Sequence, residues 1–248
     1  MNAFYFALRN RLRGRKSHTY CVGAAKTGTT ALARVMSQAM RSAHEPLVTK
    51  TNDLVISYLT KEISNATLYR ELKRRDSQLY LEFESSHQLG YLAPALSEIF
   101  PDSNFLITLR EPKKWLKSRL NFHFEKKPKE WKKYRSFIWN RHKQPYSKHE
   151  KILEEKGLFP ISTYLAQYAE QYCTIFDNVD SGRVLTIETE LIDDSLPQIA
   201  SFTNIADFQL TPVRANELKL SKNIIDDLPP EFVDEQVEKF TRSLVNYI

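Results

Sequence analysis

The chain has 248 residues with 42% hydrophobic and 12% aromatic content, which suits a single globular α/β domain and excludes a disordered chain. Its net charge of +6 suits polyanionic partners, but no RNP1-type box or Cys/His finger speaks for nucleic acid, and none is expected as a partner. Two cysteines, Cys21 and Cys173, are too few for a disulfide framework and read as thiols of a reducing, cytoplasmic compartment.

Residues 1–16 form a basic N-terminal segment set apart from a domain over 17–248. A short apolar stretch comes first, and Arg9, Arg11, Arg13, Arg15 and Lys16 follow it. That order, without a small-residue cleavage site, argues against a secretory signal. It suits a docked surface helix or a peripheral contact with an anionic membrane. No run approaches the roughly 18–20 apolar residues needed to span a bilayer.

Strands are predicted over 18–23, 79–83, 105–109 and 183–187, with a shorter one over 46–49. Helical patterns occupy 29–41, 53–61, 66–75, 88–100, 112–122 and 162–178, and a last helix starts at Pro230. This alternation predicts a single domain with a central parallel β-sheet flanked by helices. Right-handed crossovers put all strand C-termini on one edge, so Lys26, Glu84 and Arg110 should share a rim. Residues 121–156 change character: aromatics from Phe122 to Trp139 alternate with lysines and arginines. The segment reads as a solvated helical insertion or as an acceptor-binding flap, with flat groups on the aromatics and acids on the cations.

Two segments carry most of the chemistry. The first is Gly23-x-x-Lys26-Thr27-Gly28-Thr29-Thr30, placed between a strand and a helix. Backbone N–H groups and a helix start face an anion in such a loop. Its lysine precedes the second glycine, unlike the nucleoside-triphosphatase order G-x-x-x-x-G-K-[ST]. The second is Arg110-Glu111-Pro112 at a strand end, with Ser118 two helical turns further on. A forked guanidinium and a hydroxyl suit a phosphate dianion.

Both segments, in this order, resemble the sulfotransferases that use 3′-phosphoadenosine 5′-phosphosulfate (PAPS). The resemblance implies a P-loop NTPase-like sulfotransferase fold and PAPS as co-substrate, without a metal. It assigns Ala25, Lys26, Thr27, Gly28, Thr29 and Thr30 to the 5′-phosphosulfate, with Lys26 stabilising the leaving phosphate. Arg110 and Ser118 take the 3′-phosphate. A polar C-terminal segment with Arg214, Lys219, Lys222 and Asn223 closes over it, Lys222 being carried forward as a cofactor contact. The stretch Glu84-Ser85-Ser86-His87 resembles the Glu-led strand end of glycan-modifying members and, in part, the Lys-Thr-His turn of the cytosolic ones. The candidate base is therefore Glu84 first, His87 second and Glu82 third, and a carbohydrate-containing acceptor is implied. His44 and His123 read as surface or packing residues, and Glu188 and Glu190 as structural. Two other readings stay open: a nucleotide kinase or triphosphatase of related fold, and a basic module for nucleic acid or membranes.

Overall fold

The computed structural model describes residues 14–125, 128–205, 210–213, 223–244 and 247. Strands β1 (Thr19–Cys21), β2 (Ser42–His44), β3 (Phe83–Ser85), β4 (Asn104–Leu109) and β5 (Val184–Glu188) form one sheet. Every pairing is parallel and the order is β2-β3-β1-β4-β5. The chain leaves β1 toward one edge and leaves β3 toward the other. The crevice where α/β sheets bind ligands therefore opens at the C-terminal ends of β1 and β3.

Parallel strands are covered on both faces, and alternating side chains build two cores. On one face Cys21, Phe83, Leu106 and Ile187 pack against helix α1 (Thr29–Met36) and, beyond residue 195, helix α9 (Leu196–Phe202). On the other, Tyr20, Phe105, Ile107 and Leu109 meet the larger helical layer. That layer comprises α2 (Val48–Leu59), α3 (Asn65–Leu79), α4 (Ala93–Ile99), α5 (Pro112–Glu125), α6 (Lys132–Arg141), α8 (Ile161–Phe176) and α10 (Pro230–Thr241), with the short α7 (Lys151–Glu155) beside it. Among the described residues no helix is long and apolar enough to cross a membrane.

Several expected boundaries move, each for a physical reason. The edge strand lies at 42–44 rather than 46–49: Leu47, at φ +54°, turns the chain into α2. Helix α3 runs on to Leu79, where Tyr80 at φ +47° stops it, so the next strand begins only at Phe83. The helix looked finished at Arg75 because charges mark a solvated end, but here Arg75 and Asp76 turn inward to ion pairs. The pattern over 88–100 splits into a 3₁₀ turn (His87–Leu92) and α4. A Cβ on Gly90 would sit 2.9 Å from the Gln171 amide nitrogen, so glycine is needed where the turn meets α8. Helix α1 ends at Met36 instead of 41.

Of the basic N-terminal segment, residues 1–13 lie outside the described residues. Arg15 is docked, its guanidinium 2.7 Å from the Asp76 carboxylate.

Candidate active site

The loop after β1 is shaped by close contacts rather than by glycine content alone. A Cβ on Gly23 would lie 2.1 Å from Thr108 Oγ1, so only glycine lets the end of β1 cross β4. Lys26 (φ +78°) and Gly28 (φ +87°) adopt left-handed backbone conformations. Such turns gather successive N–H groups on the concave side of a loop. Gly28 then leads into α1, with Leu32 N–H donating to its carbonyl at 3.0 Å.

Residues far along the chain hold this loop in place. Trp115 Nε1 donates to the Ala25 carbonyl at 2.8 Å. The Tyr172 hydroxyl accepts from Ala24 N–H at 3.2 Å and donates to the Thr108 carbonyl at 2.8 Å. Thr189 Oγ1 lies 3.1 Å from the Thr27 carbonyl and 3.0 Å from that of Leu109. Thr27 itself points inward: its hydroxyl donates to the Ala24 carbonyl and meets Thr108 Oγ1, both at 2.6 Å. Its side chain therefore braces the loop and does not reach the cavity. Ala25, Lys26, Gly28, Thr29 and Thr30 do line it.

That cavity, about 730 Å³, brings the two sequence motifs together, because Lys26, Arg110 and Ser118 all line it. The Lys26 ammonium lies 4.6 Å from the centre of the Phe122 ring. Arg110 Nη1 donates to the Lys26 carbonyl at 3.3 Å, and its Nε to Glu190 at 3.3 Å. The Glu190 contact is partly exposed and weak enough for an incoming phosphate to replace. Helix α5 starts well capped: the Glu111 carboxylate accepts from Lys113 and Lys114 N–H, each at 2.8 Å. Asn223 also lines the cavity and accepts from the Asn121 amide at 3.0 Å. Arg214, Lys219 and Lys222 lie outside the described residues. Among the described residues Lys26, Arg110, Lys114, Lys117, Arg119 and Arg135 line the cavity, against one lining carboxylate, Glu45. Such a wall concentrates polyanions.

The three candidate bases separate sharply. Glu84 does not reach the cavity. Its carboxylate is buried and gripped by both Arg75 guanidinium nitrogens, at 2.6 and 2.5 Å, and accepts from the Ser86 hydroxyl at 2.8 Å. Burial opposes the Arg75 charge, but Glu84 outweighs it and holds that guanidinium above its ordinary value. Glu82 sits before β3, away from the strand C-termini, accepting from Lys16 N–H at 2.9 Å and Arg41 N–H at 3.1 Å. His87 does line the cavity. Its Nδ1 is 2.7 Å from Glu45 Oε1, and its ring stacks on Trp131 at 5.0 Å. Burial pushes the Glu45 carboxyl up, but His87, with smaller help from His44 and Arg119, holds it below the ordinary 4.5. A carboxylate on Nδ1 fixes the tautomer with the lone pair on Nε2, as a proton acceptor requires.

His44 also reaches the site, with Nε2 2.9 Å from the Thr30 hydroxyl and Nδ1 3.1 Å from the Ser85 carbonyl. Because a carbonyl only accepts, Nδ1 carries the hydrogen and Nε2 accepts from Thr30. Burial lowers the His44 pKa and favours this neutral form. His123 also lines the cavity but is buried and paired through Nδ1 with the Tyr164 hydroxyl at 2.9 Å. Of the aromatic insertion, Phe122, Trp131, Tyr134 and Trp139 face the cavity, whereas Phe124 is 42% exposed. Among the described residues no cluster of His, Cys, Asp and Glu could hold a metal ion.

A family profile described as a sulfotransferase domain matches residues 20–190, more than half of the chain. Among solved structures, a sulfotransferase from Alicyclobacillus acidocaldarius is similar at 18% identity, over 91% of this chain and 96% of that one, with a TM-score of 0.48. No curated protein matches the chain significantly.

Proposed function

The chain belongs to the sulfotransferase-domain family, and on that premise we propose that it moves a sulfuryl group from PAPS to an acceptor hydroxyl. One observation carries this reading: Lys26, Arg110 and Ser118, from separate motifs, line a single cavity. Two anion grips at one site suit a nucleotide with phosphate at both its 3′ and 5′ positions. The 5′ end would meet Lys26 and the start of α1 at Thr29 and Thr30, and the 3′-phosphate would meet Arg110 and Ser118.

The donor supplies an SO₃ group: its sulfur–oxygen bond to the 5′-phosphate breaks as a bond from sulfur to the acceptor oxygen forms, the leaving pair staying on the phosphate. The chain's own residues handle the charge and the proton. Lys26 faces the oxygen that gains charge. His87 Nε2 takes the acceptor proton, and Glu45 on Nδ1 stabilises the imidazolium that results. The resemblance implies a carbohydrate acceptor in part through the Glu84 strand end. With that carboxylate held by Arg75, the cavity's own support for it is the aromatic wall, whose flat faces accept sugar rings and other planar groups alike.

Calorimetry with adenosine 3′,5′-bisphosphate and adenosine 5′-monophosphate tests the double grip. The bisphosphate should bind about ten- to a hundredfold tighter, from charge-assisted bonds to the 3′-phosphate. Arg110→Ala should bring the two affinities together. Equal affinities in the unaltered protein would refute the assignment.

A further inference from the structure

Arg119 is a buried charge on the cavity wall. It follows Ser118 on α5, lines the cavity and is only 8% exposed. Among the described residues its guanidinium has no hydrogen bond or ion pair, and its Nε is buried without a partner. Its neighbours are aromatic: the Trp139 ring at 5.1 Å and the Phe122 ring at 5.9 Å. Those contacts offset only part of the cost of burying a cation. Burial, with the nearby Arg135 charge, pulls Arg119 down to about 10, against the opposing influence of Tyr164, Tyr134 and Glu45. Arg135 lines the same cavity from α6, half-buried and without an ion pair among the described residues. Trp139, which also lines the cavity, has a buried Nε1 donor with no partner among the described residues. Among the described residues the one lining carboxylate, Glu45, is paired with His87 at 2.7 Å.

Two guanidiniums thus line one cavity, neither with a hydrogen bond or ion pair among the described residues, and neither belongs to a proposed nucleotide grip. We infer that this end of the cavity is an anion subsite, and that the acceptor is a hydroxylated ring compound bearing a carboxylate. The acid seats on Arg119 and Arg135, the ring lies against Phe122 and Trp139, and the hydroxyl is turned toward His87. A forked guanidinium between aromatic faces matches a carboxylate on a flat body better than a neutral one.

The inference rests on the sulfuryl-transfer reading above and can fail separately from it. The test uses two matched pairs with a labelled sulfate donor: methyl β-D-glucuronide against methyl β-D-glucoside, and 4-hydroxyphenylacetate against 4-hydroxyphenylacetamide. Binding is followed in parallel by the fluorescence of Trp131 and Trp139. In at least one pair the acid should have a kcat/KM about ten- to a hundredfold above the neutral member, mostly through KM. Arg119→Gln should bring that ratio near one, while Arg119→Lys should keep part of it. Should Arg119→Gln not fold, as judged by lost binding of adenosine 3′,5′-bisphosphate, Arg135→Gln should still narrow the ratio about threefold. Equal treatment of acid and neutral members, an unchanged ratio in the variants, or no binding of either acid would overturn the subsite. If adenosine 3′,5′-bisphosphate binds the unaltered protein, only the subsite falls; if it does not, the donor reading falls with it.

Discussion

Lys26→Ala is expected to lower the single-turnover rate of sulfuryl transfer by about a hundred- to a thousandfold, the scale of removing one well-placed donor from a developing anion. The ammonium lies over Phe122 at the cavity wall, not in either core. Alanine meets the same left-handed backbone at φ +78° that lysine does, so the loop should keep its shape. Circular dichroism and melting temperature should change little. A variant that transfers within about threefold of the unaltered rate would remove Lys26 from the chemistry.

Three carboxylate and imidazole variants divide catalysis from structure. His87→Asn should lower kcat by about a hundred- to ten-thousandfold, the range for a lost general base. Glu45→Gln should lose less, since the amide can still orient the ring but cannot stabilise the imidazolium. Glu84→Gln should leave kcat nearly intact and instead cost roughly 3–5 kcal/mol of stability, because it strands the buried Arg75 guanidinium. Thermal unfolding and steady-state rates on the same preparations separate these effects. A Glu84→Gln enzyme that melts normally but fails to turn over would reverse the roles of Glu84 and His87.

The two anion motifs were legible because each concentrates its chemistry in a few contiguous residues next to a strong apolar strand. Lys26 follows a buried β1, and Arg110 ends β4, where five of six residues are buried. Such runs announce central parallel strands. The base was harder to read. Ser42–His44 is a half-buried edge strand with no apolar run, so the expected strand fell on the start of α2 instead. The residues ending that strand, His44 and Glu45, were thereby lost from the rim. Glu84 was expected just past the strand over 79–83 and lies within β3, and its partner is on a helix whose end was misjudged by a few residues. Nothing local distinguishes a carboxylate that faces substrate from one that faces Arg75.

The braces under the loop were hidden for another reason. Helix α8 shows a plain amphipathic pattern, and that pattern places Tyr168, Gln171 and Tyr172 in the core without naming what their polar tips meet. In the structure the Tyr168 hydroxyl donates to the Arg110 carbonyl at 2.6 Å. Gln171 Nε2 lies 3.1 Å from the Val22 carbonyl and 2.8 Å from that of His87. One helix thus positions the ends of β1, β3 and β4 together. From α5, the Trp115 indole braces the same loop through its bond to the Ala25 carbonyl.

Everything proposed for this enzyme depends on one doubly phosphorylated adenosine spanning two grips that are far apart in the chain. A crystal structure with adenosine 3′,5′-bisphosphate measures that directly. The 5′-phosphate should lie against Lys26 and the start of α1, and the 3′-phosphate between Arg110 and Ser118, with Arg110 released from Glu190. A nucleotide seated elsewhere, or one whose 3′-phosphate points to solvent while Arg110 stays on Glu190, would contradict it.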